Sequence, residues 1–149
     1  MNSDRIEKSI VLKARRSRVW KAIADAEEFG SWFGIKFEGG FAAGRRLKGQ
    51  ITTPGYTHLV FEIDVERIEP ETLFSYRWHP YAVEPGVDYS VEPTTLVEFR
   101  LAEVAGGTRV DITESGFDSL PAARRDLAFR MDDEGWAEQV ESIEKYVAA

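Results

Sequence analysis

Residues 59–78 read LVFEIDVERIEPETLFSYRW and alternate between apolar and polar side chains more regularly than any other part of the chain. In the first half, polar side chains face one way and apolar side chains face the other: Leu59, Phe61, Ile63 and Val65. Pro70 turns the chain, because proline presets a turn and cannot donate a hydrogen bond to a strand ladder. The second half repeats the alternation with three aromatic side chains on one face: Phe74, Tyr76 and Trp78. The pattern is typical of two half-buried antiparallel strands.

Strand-like segments continue on both sides of this hairpin. Downstream, inward positions recur at every second residue: Thr95, Val97, Phe99, Leu101, Val110 and Ile112. Gly106-Gly107, between the last two strands, gives the tightest hairpin signal in the chain. Upstream, shorter strands are predicted at residues 6–12, 35–38 and 45–51, and Lys8 interrupts the apolar face of the first one.

A long amphipathic helix is predicted at residues 121–147, where one apolar stripe follows helical spacing: Phe129, Trp136, Val140, Ile143 and Val147. Pro121 suits the first helical turn. Gly135 costs about 1 kcal/mol relative to alanine inside a helix, so it indicates either a close backbone approach or a kink. Asp132 and Asp133 are placed to cap a second helical piece, which leaves open a helix broken between Asp132 and Gly135.

Two shorter helices are predicted after the first strand. Residues 16–24 follow a helical apolar period, and Asp25 is placed to cap a second helix that ends at Gly34. A sheet with one apolar face needs a helix across it to bury that face. The order of elements therefore predicts an α+β fold with the C-terminal helix lying on an antiparallel sheet. Where the helix does not cover the whole sheet, a hollow remains that can hold a ligand.

Composition bounds the class of protein. The chain has 149 residues, which fit one domain, and no cysteine, which excludes disulfides, thiolate metal sites and a cysteine nucleophile. A net charge of -7 repels nucleic acid and anionic membranes. No apolar run approaches the roughly 18 residues of a membrane span. We therefore expect a cytoplasmic protein with no nucleic-acid partner and no membrane partner.

Short basic clusters interrupt this acidic background. Short charge runs usually lie on solvated surface. We place all three clusters there: Arg15, Arg16 and Arg18; Arg45, Arg46 and Lys48; Arg124 and Arg125.

Four segments, taken in order, resemble a known superfamily. They are VW at 19–20 with WF at 32–33, VERIEP at 65–70 with LFSYRW at 73–78, TLVEF at 95–99 through GGTRV at 106–110 to ESGF at 114–117, and GW at 135–136 with the stripe beyond it. Together they resemble the START/Bet v 1-like (SRPBCC) superfamily, in its activator of heat-shock protein 90 ATPase homologue-like branch, over residues 6–147.

The resemblance implies a helix-grip fold. In that fold a curved antiparallel sheet of six or seven strands wraps round a long C-terminal helix, and two short helices follow the first strand. The superfamily includes lipid carriers, hormone receptors, cyclases and co-chaperone domains. The fold therefore does not identify the function, which depends on a site.

The aromatic side chains are either the wall of an apolar cavity or a filled core, and their spacing fits both. The leading hypothesis is that a small apolar or aromatic molecule binds between the sheet and the C-terminal helix. Tyr76 and Arg130 would supply its polar contacts. The predicted ligand-binding residues are Trp32, Phe33, Phe61, Tyr76, Trp78, Phe99, Arg130, Met131 and Trp136.

Residues 79–93 form the one long irregular stretch, because they contain three prolines and Gly86. We predict a mobile flap at the mouth of the cavity. Two of its tyrosines could equally seal a homodimer contact. The predicted gating residues are His79, Tyr81 and Tyr89.

The sequence contains no motif that specifies a reaction. His58 and His79 are the only histidines, and neither has another ligand at metal-binding spacing. Nucleophile elbows, phosphate loops and dinucleotide fingerprints are absent, so we expect no metal and no cofactor. A cyclase- or hydrolase-like enzyme is one alternative, with His79, Tyr76 or Asp132 as acid or base. A co-chaperone-like protein-interaction domain is the other, and binding is favoured over catalysis.

Overall fold

An antiparallel sheet with a long helix across it dominates the structure, a computed structural model that describes residues 4–84 and 86–148. The strands are β1 Arg5–Leu12, β2 Ile35–Phe37, β3 Arg46–Ile51, β4 Val60–Glu69, β5 Leu73–Trp78, β6 Thr95–Val104 and β7 Gly107–Ser115. The helices are α1 Arg16–Ala24, α2 Ala26–Phe33 and α3 Ala122–Ala148. Short 3-10 turns cover Tyr89–Val91 and Phe117–Ser119.

The seven strands lie in the order β1-β7-β6-β5-β4-β3-β2. Each neighbouring pair is antiparallel. The register shifts between Val65 and Arg67, which marks a β-bulge in β4, and bulges increase the local bend of a strand. The helix-grip fold implied by the resemblance is confirmed.

The turn between α1 and α2 depends on a capping carboxylate. Asp25 ends α1, and its Oδ1 accepts hydrogen bonds from the backbone N–H groups of Glu27 and Glu28 at 2.9 and 3.1 Å. Gly34 ends α2 with a φ of 88°, a left-handed conformation that glycine adopts without steric cost. The predicted cap and the predicted helix end are both confirmed.

The C-terminal helix runs unbroken through residues 122–148. Its innermost side chains are Ala128, Trp136 and Ile143, which lie on one side of the helix. The break that the sequence left open between Asp132 and Gly135 does not occur, because packing of this side against the sheet outweighs the low helix propensity of Gly135. A close backbone approach at Gly135 is also excluded, because a Cβ there would meet nothing within 4 Å.

The two faces of the sheet differ in character. The outer face carries exposed ion pairs, such as Arg77 with Glu66 at 2.7 Å, and the inner face carries the hydrophobic core beneath α3. Lys8 departs from this rule. It lies at an inner position of β1, and its Nζ is 2.9 Å from Oδ1 of Asp133 on α3. The interruption noted in the sequence is therefore an ion pair between the edge strand and the helix.

Candidate functional site

A glutamate is buried in the middle of the apolar inner face. Glu114 continues the inward phase of β7 set by Val110 and Ile112, and its exposed fraction is 0%. Carboxylates are rarely buried without partners, because desolvation of the charge is costly. Glu114 is therefore the first candidate for a functional group in this interior.

Three neutral donors converge on the Glu114 carboxyl group. Trp136 Nε1 donates to Oε1 at 2.8 Å. Trp78 Nε1 and Thr95 Oγ1 both donate to Oε2, at 2.9 and 2.5 Å. These donors lie on α3, β5 and β6, so the carboxyl joins three elements to β7. We call these four residues, with Asp132 and Tyr76 described next, the Glu114 site.

Asp132 brings a second carboxyl group to this point from the inner side of α3. Asp132 keeps some exposure as a residue, but its Oδ2 is shielded from solvent and accepts no hydrogen bond from any described residue. Burial raises the pKa of Asp132 well above its usual range, and the charge of Glu114 and a hydrogen bond to Glu114 raise it further. Arg124 opposes this rise. Because the Glu114 oxygens already accept from three donors, we place the shared proton on Asp132, which leaves one negative charge on the pair.

Tyr76 supplies a hydroxyl group beside the pair. It is 1% exposed, and among the described residues its hydroxyl has no hydrogen-bond partner. Burial raises the pKa of Tyr76 well above its usual value, and the nearby charges of Glu114 and Asp132 raise it further. The phenol therefore stays neutral and keeps its proton available for donation.

Seven of the predicted ligand-binding residues form one connected cluster of rings around this site. Centroid separations range from 5.2 Å between Tyr76 and Trp78 to 6.4 Å between Trp32 and Phe99. Much of this ring cluster is filled core, but three members keep partial exposure: Phe33, Phe61 and Trp78. The members are Trp32, Phe33, Phe61, Tyr76, Trp78, Phe99 and Trp136.

The long loop after β5 is held to α3 by one arginine. Arg124 donates to the backbone carbonyls of Pro80 and Tyr81 at 2.9 and 3.1 Å, and to Glu92 Oε1 at 2.9 Å. Its guanidinium also lies 4.8 Å from the ring centroid of Tyr89. The placement of Arg124 on solvated surface was therefore wrong, because its charge is used to fasten both ends of the loop. Pro85, also in this loop, lies outside the described residues.

A cleft of about 320 Å³ opens where this loop meets the ends of the strands. Charged residues of the outer face line it, including Arg46 paired with Asp64 at 2.6 Å. His79 is fixed there, with Nε2 3.1 Å from the carbonyl oxygen of Glu92. Apolar and loop residues complete the lining: Val60, Phe61, Trp78, His79, Ala82, Asp88, Tyr89, Ser90 and Thr94.

A larger groove of about 770 Å³ lies elsewhere, between α2 and the segment after β2. It is lined by charged residues such as Asp25 and Glu27 and by apolar residues such as Phe37 and Phe41, and none of the predicted site residues lines it. We therefore take the smaller cleft as the candidate site, because it borders the ring cluster.

The remaining predicted residues are spread over this region. Arg130 is exposed on α3, and Met131 is partly buried. Tyr81 is partly buried against the core.

No three histidine, aspartate or glutamate side chains within residues 4–84 and 86–148 come together as metal ligands. Sequence reasoning missed Glu114 and Arg124, and only Glu114 carried a signal, its place in the inward phase of β7.

Residues 13–148 match the family described as Activator of Hsp90 ATPase homolog 1-like protein. The chain belongs to this family. No curated protein matches the sequence significantly. Within residues 4–84 and 86–148, no helix of this family member is long and apolar enough to cross a membrane. The family and its fold fit a ligand-binding domain, and the ring cluster is compatible with that role.

Solved structures share the fold over nearly the whole chain. Protein MLL2253 from Mesorhizobium loti has a TM-score of 0.76 and 20% identity, covering 97% of this chain and 96% of its own. A protein from Arthrobacter aurescens has a TM-score of 0.79 and 19% identity, with coverage of 98% and 87%. The Aha1 dimer from Colwellia psychrerythraea has a TM-score of 0.70 and 17% identity, with coverage of 96% and 95%. At these identities the similarity shows only the fold of this family member.

Proposed function

We propose that this protein binds a small apolar or aromatic molecule between the sheet and α3, through the cleft beside the long loop. The observation that carries the proposal is that Trp78 belongs both to the lining of the cleft and to the ring cluster. Trp78 lines the cleft, and its ring contacts Tyr76 and Trp136 inside the ring cluster. A molecule resting on Trp78 is therefore in contact with the candidate interior site.

The size and wall of the cleft support this ligand class. Small-molecule sites typically have volumes of about 300–1,000 Å³ and apolar walls with a few fixed polar groups. The cleft, at about 320 Å³, lies at the lower end of that range. Phe61 and Trp78 supply apolar lining, and paired charges such as Arg46 with Asp64 supply fixed polar lining. The arrangement suits a compact aromatic compound rather than a long lipid chain.

A neutral fluorescent probe tests the proposal. N-phenyl-1-naphthylamine should bind the folded protein with one-to-one stoichiometry and a rise in emission. Ala82→Trp should abolish this signal, because Ala82 lines the cleft and a tryptophan would fill it. Ala137→Trp, at an exposed position of α3, is the matched control and should bind like the wild type. Equal binding by both variants would exclude the cleft as the site.

A second candidate function is self-association, which a separate observation favours. Val87 and Val91 on the long loop are 45% and 81% exposed. An exposed apolar patch on a protein surface often marks a contact with another chain. The neighbour from Colwellia psychrerythraea is described as a dimer. Light scattering of the wild type and of Val91→Glu tests this candidate: a wild-type dimer that Val91→Glu dissociates would support it, and a wild-type monomer at high concentration would exclude it.

A further inference from the structure

We propose that the Glu114 site recognises the hydroxyl group of a neutral aromatic ligand, such as a phenol or naphthol, and rejects the corresponding carboxylate. This inference rests on the proposed function, since the same cleft admits the ligand. It adds the polar group by which the interior selects among aromatic molecules.

The first support is the unused hydroxyl of Tyr76. A buried hydroxyl without a partner is costly, because it has lost its hydrogen bonds to water. Tyr76 is 1% exposed, and its hydroxyl donates to no described residue. A ligand oxygen next to it would restore that hydrogen bond.

The second support is the carboxyl group of Asp132. It keeps the proton that it shares with Glu114, and its shielded Oδ2 accepts no hydrogen bond from the described residues. The Glu114 oxygens, in contrast, already accept from Trp78, Thr95 and Trp136. A hydroxyl group can donate one hydrogen bond and accept others. One ligand hydroxyl can therefore accept from Tyr76 and donate to Asp132, whereas a carbonyl or an ether oxygen can only accept.

The third support is the charge of the site. The Glu114–Asp132 pair holds one negative charge, and the three donors to Glu114 are neutral. Among the described residues, the cation that influences Asp132 is Arg124, whose hydrogen bonds are directed to the loop. A ligand carboxylate would add a second negative charge in a low-dielectric interior without a cation to balance it. The site therefore excludes anions of the same size.

Trp78 connects the cleft to the hydroxyl site, because it lines the cleft and its Nε1 donates to Oε2 of Glu114. Tyr76 and Trp78 are two residues apart on the inner face of β5, and their ring centroids are 5.2 Å apart. An aromatic ligand against Trp78 and Phe61 would direct a substituent along β5 towards Tyr76. The ring cluster thus holds the body of the ligand, and the Glu114 site holds its polar end.

Titration calorimetry near pH 7 with naphthalene, 2-naphthol and 2-naphthoate tests the inference. We expect 2-naphthol to bind about tenfold more tightly than naphthalene, the value of one or two recovered hydrogen bonds, and 2-naphthoate to bind most weakly. Tyr76→Phe should reduce the affinity for 2-naphthol to that for naphthalene measured with the same variant. Tyr56→Phe, at an exposed tyrosine, is the matched control and should change nothing.

Asp132→Asn provides a second variant, because it replaces a neutral carboxylic acid by a neutral amide and leaves the negative charge of the pair on Glu114. In this variant 2-naphthoate should remain the weakest of the three ligands, and a rise of its affinity to that of 2-naphthol would contradict the placement of the charge on Glu114. If wild-type protein binds naphthalene and 2-naphthol equally, the hydroxyl inference fails while the proposed function stands. If none of the three compounds binds, and the neutral probe also fails to bind, the proposed function itself fails.

Discussion

The indole N–H of Trp136 donates to Oε1 of Glu114 over 2.8 Å, and this bond joins α3 to β7 at the centre of the fold. Both groups are buried, so water cannot replace either partner. The other Glu114 oxygen accepts from Trp78 and Thr95 on neighbouring strands. The interface between the sheet and α3 therefore includes a buried polar contact, at a position where most folds have aliphatic side chains.

Removing the Glu114 carboxyl should destabilise the protein strongly. Glu114→Ala leaves two indole N–H groups and one hydroxyl without acceptors, and breaking a buried charged network of this kind costs about 3–5 kcal/mol. Urea unfolding measures the loss. Glu103→Ala, at an exposed glutamate on β6, is the control and should change the free energy of unfolding by less than about 0.5 kcal/mol. A similar small loss for Glu114→Ala would contradict the network.

Two substitutions at Trp136 should separate packing from hydrogen bonding. Trp136→Phe keeps an aromatic ring but leaves Glu114 Oε1 without its donor, at a cost of about 1–3 kcal/mol. Trp136→Ala also creates a cavity and should cost about 3–5 kcal/mol. The difference between the two unfolding free energies reports the packing contribution. Equal losses would mean that the ring makes no packing contribution of its own.

Asp132 should make the protein less stable as the pH rises. The pKa of Asp132 is raised in the folded state. Its titration therefore does not lower the free energy of unfolding below the unfolded pKa of about 3.9. Above that value the unfolded chain releases the proton while the folded protein retains it, and stability falls until the folded pKa is reached. The groups that act on Asp132 are Glu114 on β7 and Arg124 on α3, and Asp132 in turn acts on Tyr76 on β5.

Asp132→Asn removes this proton and should gain stability relative to the wild type between about pH 5 and pH 8, by an amount that grows with pH. Urea unfolding at several pH values gives the difference. Asp126→Asn, at an exposed position of the same helix, should show no such slope. A constant difference between Asp132→Asn and the wild type would place the proton elsewhere.

Loss of Arg124 should loosen the long loop without unfolding the sheet. Arg124→Ala removes three hydrogen bonds that hold the loop, and a loss of about 2 kcal/mol would speed amide exchange there about thirtyfold. Hydrogen exchange of residues 79–84 and 86–92 measures this effect, with β6 as the internal reference. Arg130→Ala, which truncates an exposed arginine of α3, should leave exchange unchanged. Unaltered exchange in Arg124→Ala would show that other contacts hold the loop.

The strands and helices could be predicted because their signals are local. The alternation of Phe61, Ile63 and Val65 sets the buried face of β4, and the cap at Asp25 sets the start of α2. The unbroken α3 could not be predicted from Gly135 and the aspartates near it. Its continuity depends on packing of Trp136 and Ile143 against a sheet assembled from distant segments.

The Glu114 site was only partly predictable, for a similar reason. The three donors to Glu114 are 36, 19 and 22 residues away along the chain, so no short motif contains them. The alternation of side chains along β7 nevertheless places Glu114 at an inward position. A charged residue among inward apolar positions indicates a candidate functional site. Arg124 gave no such signal, because a basic residue next to Arg125 looks the same whether it faces water or fastens a loop.

The ion pair between Lys8 and Asp133 has a consequence for solubility. β1 ends the sheet, so one side of this eight-residue strand presents unpaired backbone groups that could template a strand from another molecule. A strand added there would set its side chains against the ammonium group of Lys8 and disturb its contact with α3. An inward lysine on an edge strand thus penalises sheet extension between molecules.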